Sequence, residues 1–122
     1  MRRVRRRDER GAVTAEAAVV LPVLVLVTVA LAWLVSLGVA QVRVVDASRE
    51  AARALARGES QGTAVALARR VAPGGASVRT DATGTTVRSV VVAPVRGPGG
   101  VFGALPTVRV RAEAVALKEL GT

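Results

Sequence analysis

The sequence predicts an α+β protein: a long N-terminal transmembrane helix continuing into an exposed helix, a short second helix, then a small three-stranded antiparallel sheet. Three observations carry this. No charged residue occurs from Ala17 to Ala40. Apolar residues then recur at three- and four-residue spacing as far as Val71, and beyond Pro73 the period changes to two. Gly and Pro cluster at Pro73-Gly74-Gly75, at Gly84 and at Gly97-Pro98-Gly99-Gly100, where a chain of strands must turn.

The first ten residues form a basic leader, with Arg2, Arg3, Arg5, Arg6, Arg7 and Arg10 against Asp8 and Glu9. The apolar stretch follows from Gly11 to Ala40, with Glu16 as its only charge. A helix needs about 20 apolar residues to cross a hydrocarbon core. Leu21, Leu24, Leu26, Leu31, Leu34 and Leu37, interleaved with valines, leave no polar stripe, so this is a membrane span over 17–40 rather than an amphipathic surface helix. Pro22 removes one backbone hydrogen bond and is expected to kink the span. The run is too long for an ordinary secretory signal, and no small-x-small cleavage site follows it cleanly. Six arginines before the span, against Arg43, Arg49, Arg53 and Arg57 after it, place the N-terminus in the cytoplasm and the C-terminal domain outside it.

Nothing between Leu37 and Gln41 stops the helix except Gly38, which transmembrane helices tolerate. Val44, Val45, Ala47, Ala51, Ala52 and Leu55 continue a helical stripe, with Asp46/Arg49 and Glu50/Arg53 as supporting i,i+3 pairs. Gly58 reads as the C-terminal cap, so the helix is expected over 12–57. Ser60 is the expected N-cap of a second helix reaching Ala72, with Val65, Leu67, Ala68 and Val71 on its apolar side. Strands are expected at 76–81, 85–93 and 107–117, with a turn at 82–84 and a loop over 94–106. In the last strand Val108, Val110, Ala112 and Ala114 alternate with Arg109, Arg111 and Glu113. The organisation is thus a leader (1–11), a long helix (12–57) and a small extracytoplasmic domain (58–122).

Composition excludes several functions. The 122 residues contain no Cys and no His, which removes zinc fingers, iron–sulfur sites, thiol catalysis and disulfide staples. Asp81, Glu113 and Glu119 are isolated in sequence and form no catalytic motif. Gly97-Pro98-Gly99-Gly100 lacks the Lys and following helix of a phosphate loop. The net charge of +9 comes almost wholly from Arg, dispersed after residue 40 with no interleaved aromatics; Trp33 and Phe102 are the only aromatic residues. That pattern fits the Arg-, Ala-, Val- and Gly-rich composition of a GC-rich coding sequence better than it fits a nucleic-acid binder. No enzyme, cofactor or metal is expected.

Glu16 stands where leader meets span, and three readings of it remain open. An acid in the first turns of a helix favours the macrodipole. At the interface it can simply stay hydrated. A carboxylate entering a membrane also seeks a cation. Were the chain cut after Gly11, the new ammonium on Ala12 would supply one, and Glu16 of one copy could neutralise Ala12 of the next.

The basic leader, Gly11, Ala12-Val13-Thr14-Ala15-Glu16 and the apolar run with Pro22 resemble a prepilin-type, class III signal. Asp46-Ala47-Ser48-Arg49-Glu50-Ala51-Ala52-Arg53-Ala54 resembles the segment after the helix in TadE-like pseudopilins, and Val108–Ala114 loosely resembles their last strand. Members often carry an aromatic after the glutamate; here it is Ala17. Major Flp pilins are much shorter, so the extra domain favours a minor pilin. The resemblance implies a non-enzymatic component of a tight-adherence (type IVc) pilus or related secretion system. Gly11 and Ala12 would flank the processing site, and Ala12 and Glu16 would be the assembly residues. The implied partners are a prepilin peptidase, an inner-membrane platform protein with its ATPase, and other pilins. The alternatives are an uncleaved single-pass anchor presenting a small binding domain, and a nucleic-acid-binding protein.

Overall fold

The computed structural model of this chain describes residues 2–98, 103 and 106–119, with side chains from residue 9 onward. Its elements are α1 (Arg2–Ala56), α2 (Gln61–Val71), β1 (Ser77–Thr83), β2 (Thr86–Val95) and β3 (Val108–Leu117). The α+β class, the two helices and the three-stranded antiparallel sheet match the expectation. Phe102, the last two glycines of the 97–100 stretch and the leader's arginine side chains before Arg10 lie outside the described residues. Two compact units divide the chain, Met1–Leu34 and Val35–Thr122.

In the first unit, α1 begins ten residues earlier than expected. Arg is a good helix former, and no proline precedes Gly11, whose cost of about 1 kcal/mol a long helix absorbs. The helix continues through Pro22, where the Ala18 carbonyl loses its usual donor. Side chains from Glu9 to Thr28 are all exposed. Two hydroxyls fold back on the helix: Thr14 Oγ1 donates to the Arg10 carbonyl at 2.9 Å and Thr28 Oγ1 to the Leu24 carbonyl at 2.8 Å. Such bonding satisfies both hydroxyls on an otherwise apolar surface.

In the second unit, the end of α1 and all of α2 lie on one face of the sheet. Ala40, Val44, Ala47, Ala51 and Leu55 recur at helical spacing and are buried with Ala64 and Ala68 of α2. The sheet presents Val87, Val91 and Ala93 of β2 and Val110 of β3. Alanine on the helical side allows close approach, which suits a core with no described aromatic. Val71, placed on the apolar stripe of α2, occupies the helix's last position and stays 37% exposed. Of the two anticipated pairs on α1, Arg53 reaches Glu50 at 4.0 Å; Asp46 and Arg49 do not pair, both being exposed and hydrated.

The end of α1 is fully capped. Gly58, at φ +85°, donates to the Leu55 carbonyl at 3.0 Å, and Glu59 N–H donates to Ala54 at 3.1 Å, forming a Schellman motif. Glu119 N–H donates to the Ala56 carbonyl at 2.9 Å, tying the residue just past β3 to the helix. Ser60 caps α2, accepting from Thr63 N–H at 3.2 Å.

Strand order is β1-β2-β3. The expected turn at 82–84 moves by one residue: Thr83 pairs with Thr86 around Gly84-Thr85, with Gly84 at φ +56°. Glycine first in a two-residue loop matches the twist of the hairpin it closes. Strand β2 also runs through Pro94, expected in the loop. Lys118 N–H donates to Thr85 O at 2.6 Å, so even positions of β3 bond to odd positions of β2, and even positions of β2 face β1. Strand β1 ends at Ser77, opposite Val92, so Pro94 lacks its N–H where no strand remains to receive it. By the same alternation the odd positions of β3 point their backbone outward, and Gln41 Nε2 donates to the Arg111 carbonyl at 3.3 Å. Helix α1 thereby engages the free edge of β3.

Candidate functional site

Gly11, Ala12 and Glu16 all lie on α1 within the first unit, and all three are exposed. A Cβ built on Gly11 meets no heavy atom within 4 Å, so glycine there is not required by packing. Ala12 and Glu16 are one turn apart and share a helix face. Among the described residues, no cation lies within ion-pair distance of Glu16. Pro22 follows six positions later on the same helix. These residues are contiguous by sequence alone; folding of a single chain adds nothing to their constellation.

What surrounds them is the informative part. The helix is long and apolar enough to cross a membrane, and none of its apolar window is buried within the chain. Val19, Leu21, Leu24, Val25, Leu31 and Val35 are each at least half exposed. In water such a surface is unsustainable, and it calls for lipid or neighbouring helices. Glu16 is therefore a charge placed at the edge of an apolar surface, with no cation in contact among the described residues.

The second unit offers little chemistry. Among the described residues, no three acidic, His or Cys side chains group closely enough to hold a metal ion. A shallow groove of about 360 Å³ runs between the end of α1 and β3, with Ala52, Ala56 and Ala114 beneath and Arg49, Arg53 and Glu119 at its rim. It holds no acid–base pair suited to proton transfer. Gln41 and Ser89 are structurally prominent residues that sequence reasoning passed over. Ser89 is legible in hindsight, because it continues the alternation of Val87 and Val91 on the buried face of β2. Gln41 carries no such signal, since its partner is a backbone carbonyl 70 residues away.

The family model described as TadE-like protein matches residues 11–53, beginning at Gly11 and taking in the apolar helix and the alanine-arginine-glutamate segment. The Apoptosis inhibitor Rv3655c of Mycobacterium tuberculosis (strain ATCC 25618 / H37Rv) is 37% identical over 107 residues, covering 88% of this chain and 79% of that protein. No solved structure matches.

Proposed function

We propose, from the premise that this chain belongs to the TadE-like family of the Tad pilus system, that it is a minor pilin or pseudopilin whose role is structural rather than enzymatic. It is a pilus-system component with an N-terminal membrane-type helix. In the proposal, a prepilin peptidase on the cytoplasmic face removes residues 1–11. Residues 12–57 remain as anchor and stem, bent at Pro22, and residues 58–122 lie outside the cytoplasm. A platform protein and its ATPase drive insertion into an assembly of related pilins.

One observation carries this reading: Glu16, the only charge between Gly11 and Ala40, sits on an apolar helix segment exposed from Glu9 to Thr28, with no cation in contact among the described residues. Cleavage after Gly11 creates an ammonium at Ala12. Carried between neighbouring helices in lipid, carboxylate and ammonium neutralise each other, and each removes the other's desolvation penalty. The match to the family from Gly11 onward supports the same boundary. The peptide after Gly11 is helical in the intact chain, and hydrolysis needs it opened. Glycine lowers the cost of opening by about 1 kcal/mol relative to alanine.

Replacing Glu16 with Ala tests the pairing. The variant should insert into the membrane normally and lose incorporation into pilin assemblies. Normal co-purification with partner pilins refutes it. An uncleaved anchor with a binding domain is the alternative, and Gly11→Leu separates the two: a variant unchanged in mobility and mature terminus favours the plain anchor. A second reading comes from the relative's name. If this chain also inhibits apoptosis, animal cells exposed to it should show reduced caspase activation, and unchanged activation removes that reading.

A further inference from the structure

Among the described residues the helices cover one face of the sheet, and the other face carries arginines with no ion-pair partner. The register sets that outer face. Row by row across β1, β2 and β3 it reads Asp81-Arg88-Val115, then Arg79-Val90-Glu113, then Ser77-Val92-Arg111, and finally Pro94-Arg109. Both acids lie around Arg88. Glu113 accepts from Arg88 Nε at 2.6 Å and from Arg88 Nη2 at 2.9 Å, with Arg111 at 3.8 Å. Asp81 stands directly opposite Arg88 in the register. Among the described residues, neither Arg79 nor Arg109 has an ion-pair partner. The two lie on the outer strands, on opposite sides of half-buried Val90, Val92 and Pro94; Arg79 stands in the row of Val90 and Arg109 in that of Pro94, two strands across and four residues along, a backbone separation of roughly 17 Å.

We propose that this Arg79–Arg109–Arg111 end of the open sheet face docks an acidic surface of a partner protein, with carboxylates meeting the arginines and an apolar contact over Val90 and Val92. Charge complementarity selects the occupant. A second copy of this chain, at net +9, or +5 in side-chain charge once the six arginines and two acids of residues 1–11 are removed, brings like charge to a basic face. A bilayer surface is disfavoured because the valines lie flush with the sheet and no aromatic stands among these positions to insert. A nucleic acid is disfavoured for the same lack of a stacking side chain. An arginine rim around an apolar centre is the usual anatomy of a protein–protein contact.

The test uses the full chain in nanodiscs of zwitterionic lipid. It is titrated with a poly-glutamate peptide, with phosphatidylglycerol vesicles and with a DNA duplex. Wild type is compared with the Arg79→Glu/Arg109→Glu pair, with Arg79→Gln/Arg109→Gln, and with Arg69→Glu/Arg70→Glu on the exposed side of α2. The expected result is peptide binding that falls at least tenfold in the first pair, falls by a smaller factor in the glutamine pair, and changes less than twofold in the α2 pair. Equal losses in the sheet and α2 variants would mean charge without a site and would overturn the proposal. So would the absence of peptide binding, or vesicle or DNA binding that is tighter than the peptide's and lost with the same sheet residues. Retained hydrogen-exchange protection of β2 in the glutamine pair confirms that the fold survives.

Discussion

Truncating Val91 to alanine isolates what holds the second unit together. Val91 is fully buried on the central strand, between Val78 of β1 and Ala112 of β3, beneath the helical layer. Removing two methyl groups forfeits about 1.6 kcal/mol of transfer free energy at ~0.8 kcal/mol each. A cavity term adds to that, because the helices contribute Ala47, Ala51, Ala64 and Ala68 to the core, and an alanine cannot swing in to refill the space. The total is about 2–3 kcal/mol, a large share of the ~5–10 kcal/mol expected of a small domain. Hydrogen exchange of the full chain in detergent micelles, read by mass spectrometry on peptides covering β2, measures the loss directly. At about 1.4 kcal/mol per tenfold, exchange through global opening should accelerate roughly 30- to 150-fold. Val115→Ala on the open face is the control, since Val115 is 61% exposed; it should change exchange less than threefold. Comparable acceleration in both variants, or less than threefold in Val91→Ala, would show that the core is not where the burial pattern puts it.

Two further substitutions probe particular features. Ser89 is fully buried and its hydroxyl has no hydrogen-bond partner among the described residues, so Ser89→Ala should raise the domain's stability by about 1 kcal/mol in the same exchange assay; a loss of that size would reveal a partner for the hydroxyl. Gly58→Ala should lower stability by about 1–2 kcal/mol, because φ +85° disfavours a Cβ although no heavy atom lies within 4 Å, and Gly58→Asn should lose less; equal losses would point to packing rather than backbone conformation.

The hydrophobic pattern made the main elements legible, and the departures arise where one residue's local signal met a non-local fact. Pro94 reads as the start of a loop, yet it is tolerated in β2 because β1 stops at Ser77, and where a neighbouring strand ends is not encoded near position 94. The Gly84 turn was visible, but its placement by one residue follows from the pairing of Thr83 with Thr86. Gly11 did not mark the beginning of α1, since the arginine leader has no helix breaker of its own. The alternation in β3 survived intact, with Val110 buried and Arg109 and Arg111 exposed. The candidate site was wholly legible as sequence, because Gly11, Ala12 and Glu16 lie within six positions. Its partner was not, for a physical reason: the cation proposed for Glu16 belongs to a second molecule. The basic end of the sheet's outer face was also hidden, since Arg79 and Arg109 become neighbours of one patch only through the register of three strands.

The account turns on where the assembled chain begins. Intact mass and N-terminal sequence of the protein isolated from its pilus assemblies measure this directly. A species starting at Ala12 is the expected result, with the ammonium available to a neighbouring Glu16. Recovery of chains that still carry Arg2 to Arg10 in the assembled state would contradict it.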